Sequence, residues 1–91
     1  MSSAVAPDFE AMRSWVERAV EAHVERRDRV CVEVLQPGAG LVLLLIHVAE
    51  SDRGRVIGRR GRTIKPLREA VERWAGREGI RVVLDLVEST P

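Results

Sequence analysis

The sequence predicts an α+β domain, a three-stranded sheet with three helices packed on one of its faces. Two observations carry the prediction. Residues 9–26 and the stretch from Ile64 to Gly76 repeat apolar side chains at steps of three and four, as a helix with one buried stripe does. Residues 30–35, 41–49 and 80–88 instead alternate or run apolar over strand-length windows between Gly- and Pro-containing breaks. The order is helix, strand, strand, short helix, helix, strand, and one sheet covered on one side buries every stripe against a single core.

Residues 1–7 have no period and read as a loose tail before one domain at 8–88, with 89–91 as a C-terminal tail. Asp8 is placed to cap the first helix, and Glu10 lies in its first turn where the helix dipole favours an acid. Phe9, Met12, Val16, Ala19, Val20, His23 and Val24 then form its apolar stripe. Val30, Val32 and Val34 alternate with Cys31, Glu33 and Leu35, the pattern of a half-buried strand. Residues 36–40, Gln-Pro-Gly-Ala-Gly, read as a turn, so an antiparallel hairpin connects this strand to the next. That second strand is apolar on both faces except at His47. Ser51 and Asp52 can cap a short helix, Arg53–Ile57, which runs into a glycine turn. Ile64, Leu67, Val71 and Trp74 carry the last helix to Gly76 or Gly79. With Thr63 as N-cap, Pro66 falls at the third helical position, where its missing N–H costs little; a helix starting nearer Gly61 would kink. Ile80, Val82, Leu84 and Leu86 supply the inward side of the final strand.

Net charge is only +1, but it is unevenly placed. Residues 53–68 hold seven basic side chains (Arg53, Arg55, Arg59, Arg60, Arg62, Lys65, Arg68) and no acid, while the other 75 hold eight basic and fourteen acidic ones. One cationic element on an acidic body suits a module that meets a polyanion at one place. Fourteen of the fifteen basic residues are arginine, which suits phosphate binding and which codon bias in a GC-rich genome would also produce. The longest apolar run, residues 41–46, is too short to span a bilayer, and no N-terminal run resembles a signal peptide. With a single cysteine, the expectation is a cytoplasmic protein that does not engage a membrane.

The densest signal is Val56-Ile57-Gly58-Arg59-Arg60-Gly61-Arg62-Thr63-Ile64. A tight Gly-x-x-Gly turn lets backbone N–H groups approach a phosphodiester with no Cβ in the way, and the arginines add charge at the same spot. Together with the order of elements, this stretch resembles the K homology (KH) domain of RNA-binding proteins, whose signature is Ile-Gly-x-x-Gly-x-x-Ile. The leading helix and the C-terminal last strand are similar to the bacterial type II arrangement. The resemblance is greatest to the small KhpA family, in which an acidic-Met-Gly-Lys-Val-Ile-Gly stretch precedes the turn. Here that stretch reads Ser51-Asp52-Arg53-Gly54-Arg55-Val56-Ile57-Gly58, and the likeness covers roughly residues 13–88. Pro66 departs from it, standing where a small helix-forming residue is expected.

The resemblance implies that about four unpaired nucleotides of RNA lie across Gly58 and Gly61. Arg59 and Arg60 are the first candidates for phosphate, then Lys65 and Arg55, with Arg62 alongside; some of these cations must face away from any one ligand. Ile57 and Ile64 either floor the bases or pin the turn to the core. It also implies a homodimer, a heterodimer with a KH protein of the Jag/KhpB type, and work in post-transcriptional regulation or as an RNA chaperone. The apolar second strand and Trp74 are candidate interface surface. Single-stranded DNA and a purely dimerising module stay open as alternatives. Without tyrosine, and with Phe9, Trp15 and Trp74 all on helices, base contacts are expected to be aliphatic and weakly selective.

No cofactor is expected and no enzyme chemistry is visible: no Ser–His–Asp set, no paired-carboxylate pocket, no Gly-Lys-Ser/Thr loop. Cys31 has no partner at metal-ligand spacing. His23 reads as a packed or capping residue, and His47 faces either the core or the open side of the sheet.

Overall fold

The computed structural model of the protein describes residues 9–38 and 40–87. Six elements follow one another: α1 (Phe9–Glu21), β1 (Cys31–Gly38), β2 (Leu41–His47), α2 (Arg53–Ile57), α3 (Ile64–Arg77) and β3 (Arg81–Leu86). Single 3-10 turns at Arg27–Arg29, Glu50–Asp52 and Arg59–Gly61 join them. The sheet is mixed, in the order β1-β2-β3, with β1 antiparallel and β3 parallel to the central β2. The α+β architecture read from the sequence is the one observed.

One face of the sheet meets the helices. Val32, Val42, Leu44, Ile46, Val82 and Leu84 point inward and join Met12, Val16 and Val20 of α1 with Val56, Ile64, Leu67, Val71 and Ala75 in a single buried cluster. The period-two alternation of the strands and the 3.6-residue period of the helices both end at this core. The other face carries Leu35, Leu43 and Val83 as one cross-strand row, flanked on β2 by Leu41 and Leu45. Leu35 and Val83 are each 39% exposed there.

β1 starts one residue later than the sequence reading, at Cys31, and β3 is shorter, Arg81–Leu86 rather than 80–88; three further boundaries differ for identifiable reasons. α1 stops at Glu21, several residues short of 26. The Ala22 and His23 N–H groups still bond back to Arg18 and Val20, but those of Glu25 and Arg26 donate to the Asp52 carboxylate, at 3.1 and 2.9 Å. The apolar period misleads here because Val24 stays buried after the helix has ended, while His23 turns out to be exposed rather than packed. β1 runs on through Gln36, Pro37 and Gly38, residues assigned above to the turn. Leu35 pairs with Leu43 and Gly38 with Leu41, so two residues of β1 oppose one of β2. This bulge accommodates Pro37, which has no N–H to give a ladder. β2 ends at His47 rather than Ala49. The cap expected at Asp8 lies outside the described residues.

α3 begins after Thr63, so Pro66 takes the third helical position, and of the two readings the one without a kink holds. Its C-terminus closes with Gly79 at φ 71°, the Gly79 N–H on the Gly76 carbonyl and the Ile80 N–H on that of Ala75. Those are the two bonds of a Schellman cap.

Candidate nucleic-acid interface

The link between α2 and α3 is built from backbone that few residues adopt. Gly58 sits at φ 70°, ψ 171° and donates its N–H to the Gly54 carbonyl at 2.8 Å, ending α2. A Cβ there would lie 2.6 Å from Thr63 Oγ1 and 2.9 Å from the Thr63 nitrogen, so both conformation and space demand glycine. Arg60 is left-handed as well, at φ 56°, ψ 32°, inside the Arg59–Gly61 turn. This kink presents Arg59, Arg60 and Arg62 around one surface concavity.

Beside it lies a groove of about 590 Å³ lined by Arg53, Ile57, Ile64, Arg68, Asp85 and Leu86. The two isoleucines expected to act alike do not. Ile64 is 7% exposed and belongs to the core, whereas Ile57 is 42% exposed and opens into the groove. Arg53 lies four residues before Ile57, and Arg68 four after Ile64, so each helix turns an Ile and an Arg to the same side. Arg68 Nε donates to the Leu84 carbonyl at 3.0 Å, Arg53 Nη1 donates to the Val87 carbonyl, and the Leu86 N–H donates to Asp85 Oδ1 at 2.9 Å. Arg53, Arg68, Asp85 and Leu86 were not among the candidate site residues; the shared spacing of four was the signal for the two arginines. Nothing local in the sequence marks Asp85 and Leu86, because only the parallel pairing of β3 with β2 brings them to this edge.

Lys65 is exposed on the first turn of α3. Arg55 is turned elsewhere. Its Nη2 lies 2.8 Å from Glu25 Oε1 and its Nε 3.5 Å from Asp52 Oδ1, and it lines neither concavity. Asp52 itself is fully buried at the start of α2 without a side-chain cap there; its carboxylate spends both oxygens on the N–H groups of Arg26 and Glu25. Those two bonds, helped by Arg55 and Arg26, hold its pKa below the ordinary aspartate value of 3.8.

Comparison with known proteins adds a family. The description "KhpA/KhpB, KH domain" matches residues 13–86, which contain the whole turn and both concavities. The chain belongs to the KhpA/KhpB family of KH domains. Curated relatives that bear the name RNA-binding protein KhpA include one from Halalkalibacterium halodurans, 38% identical over 85% of this chain and 100% of its own. Others come from Chlamydia muridarum, 31% identical over 85% of this chain and 97% of its own, and from Aquifex aeolicus, 31% identical over 86% and 98%. No solved structure matches.

Proposed function

We propose that the protein binds single-stranded RNA across the Gly58–Gly61 turn, with phosphates at the arginine cluster and bases in the adjoining groove. The observation that carries this reading is the juxtaposition of the Arg59–Arg60–Arg62 concavity with a groove whose apolar side, Ile57, is open to solvent. Guanidinium groups take phosphate oxygens in planar, bidentate geometry, and the glycine at Gly58 lets a sugar-phosphate chain lie close to the main chain. At the start of α3 the set of N–H groups that could meet the same phosphates is reduced by one, since Pro66 has none. Ile57 and Leu86 give the bases an aliphatic rest in place of aromatic stacking, so affinity is modest and leans on charge. The names of the relatives agree, each being called an RNA-binding protein. The reading is of a binding protein. Among the described residues no helix is long and apolar enough to cross a membrane.

Fluorescence anisotropy with a labelled heptauridine tests it. With three or four phosphates engaged, log K should fall with log salt at a slope of about −2 to −3. Arg59→Glu with Arg60→Glu should weaken binding at least ~10-fold at low salt. Unchanged affinity in that double variant overturns the reading. The same assay with heptathymidine DNA decides between RNA and single-stranded DNA. Glycine-to-aspartate exchange at Gly58 is a poorer probe than these charge reversals, because the Thr63 contact would disturb the turn itself.

A second reading, self-association, is favoured by one observation: the apolar row Leu35, Leu43 and Val83 on the sheet face away from the helices. A single domain grips few nucleotides, and pairing raises avidity. This face, rather than Trp74, which packs half-buried against the core, is the surface offered to a second copy or to another KH protein. We extend the proposal to RNA-chaperone or regulatory work in the cytoplasm.

A further inference from the structure

We propose that Arg68 and Asp85 act as a pair that selects guanine at the base position beside Ile57; the inference rests on the RNA-binding reading. β3 is an edge strand. The Arg81 and Val87 N–H groups point to β2, bonding Gly40 and Ile46 carbonyls, so by alternation the main-chain polar groups of Val82, Leu84 and Leu86 face outward, toward α3 and the groove. In the groove, two of these outward groups already have partners. Arg68 Nε takes the Leu84 carbonyl at 3.0 Å, and Asp85 Oδ1 takes the Leu86 N–H at 2.9 Å. Arg68 Nη2 and Asp85 Oδ1 stand 3.9 Å apart, and the side chains remain 38% and 67% exposed. A base resting on Ile57 and Leu86 therefore meets a guanidinium and a carboxylate side by side in front of the strand's own main chain.

That pair is a donor-only group next to an acceptor-only group. The edge that complements it runs acceptor, donor, donor. Guanine has this order on its Watson–Crick edge: O6 for the guanidinium, then N1–H and N2–H for the carboxylate. Adenine can make two of the three contacts, through N1 and N6. Cytosine can make the equivalent two, through N3 and N4, while uracil sets a carbonyl oxygen against the carboxylate, where a lone pair meets negative charge. Bidentate side-chain contacts to a base edge discriminate by about tenfold or more.

The experiment measures anisotropy with labelled heptauridine and with heptamers whose central uridine is replaced by guanosine, adenosine or cytidine. The wild-type protein should bind the guanosine heptamer about tenfold tighter than heptauridine, with adenosine between them. Asp85→Asn, an isosteric change at an exposed position, should bring guanosine to within about twofold of uridine. Arg68→Lys keeps the charge but loses the planar fork, and should also reduce the guanosine preference. Equal affinity of the wild type for all four heptamers, or a guanosine preference that survives Asp85→Asn, overturns the inference while RNA binding stands. Failure of every heptamer to bind would overturn both.

Discussion

At the level of single residues, Gly58 and Arg60 share a positive φ but stand on opposite sides of the stability balance. Gly58 occupies a region essentially restricted to glycine and has Thr63 against the position of a Cβ. Gly58→Ala should lose about 2–3 kcal/mol in urea unfolding. Arg60 carries a side chain at φ 56°, a conformation that costs a non-glycine residue about 1 kcal/mol. Arg60→Gly should therefore gain about 0.5 kcal/mol after the added entropy of the unfolded chain, while RNA affinity falls. A variant both more stable and a poorer binder would show that the strain is kept for the charge it displays. The glycines and the turn arginines were legible because the motif states them. Arg55 was not excluded by its neighbourhood in sequence, yet elementary helix geometry excludes it. It lies two residues from both Arg53 and Ile57, hence about 200° round α2 from the groove side.

Among the elements, the starts and stops of helices separate what periodicity can say from what tertiary contacts decide. α2 and the body of α3 were readable because their apolar stripes end where their backbone does. α1 was over-extended because Val24 keeps the period while Asp52, distant in sequence, draws the next N–H groups away. An aspartate ahead of a helix reads as a cap for that helix; here it fastens the exit of another. Asp52 has a depressed folded pKa, so its contribution is complete above the unfolded value near 3.8 and is lost as pH falls through the folded value below it. The urea midpoint should thus hold level from about pH 8 to 5 and drop below about pH 4. Asp52→Asn should lower the melting temperature by more than ~5 °C at pH 7 and flatten part of that acid loss. An unchanged midpoint at pH 7 would mean that the link from α1 to α2 does not depend on this carboxylate.

For the molecule as a whole, the sequence revealed how many layers to expect but not how the last strand pairs. Alternation in 80–88 says that one side of β3 is buried; only packing of α2 and α3 across the sheet sets it parallel to β2 and delivers Asp85 and Leu86 to the groove. The same alternation leaves Leu43 in the middle of the outer apolar row. Sedimentation at micromolar concentration should show a dimer for the wild type and a monomer for Leu43→Lys, with RNA affinity per domain retained. A monomeric wild type removes the self-association reading. What the chain does along its two sheet margins limits how such pairing can proceed. One margin is broken by the Pro37 bulge, and on the other Arg68 and Asp85 occupy a strand carbonyl and an amide that an incoming strand would need. Growth by adding strands at these margins is thereby discouraged, and pairing through the outer apolar row, as proposed, would close on itself after two copies and give a finite particle rather than a fibre.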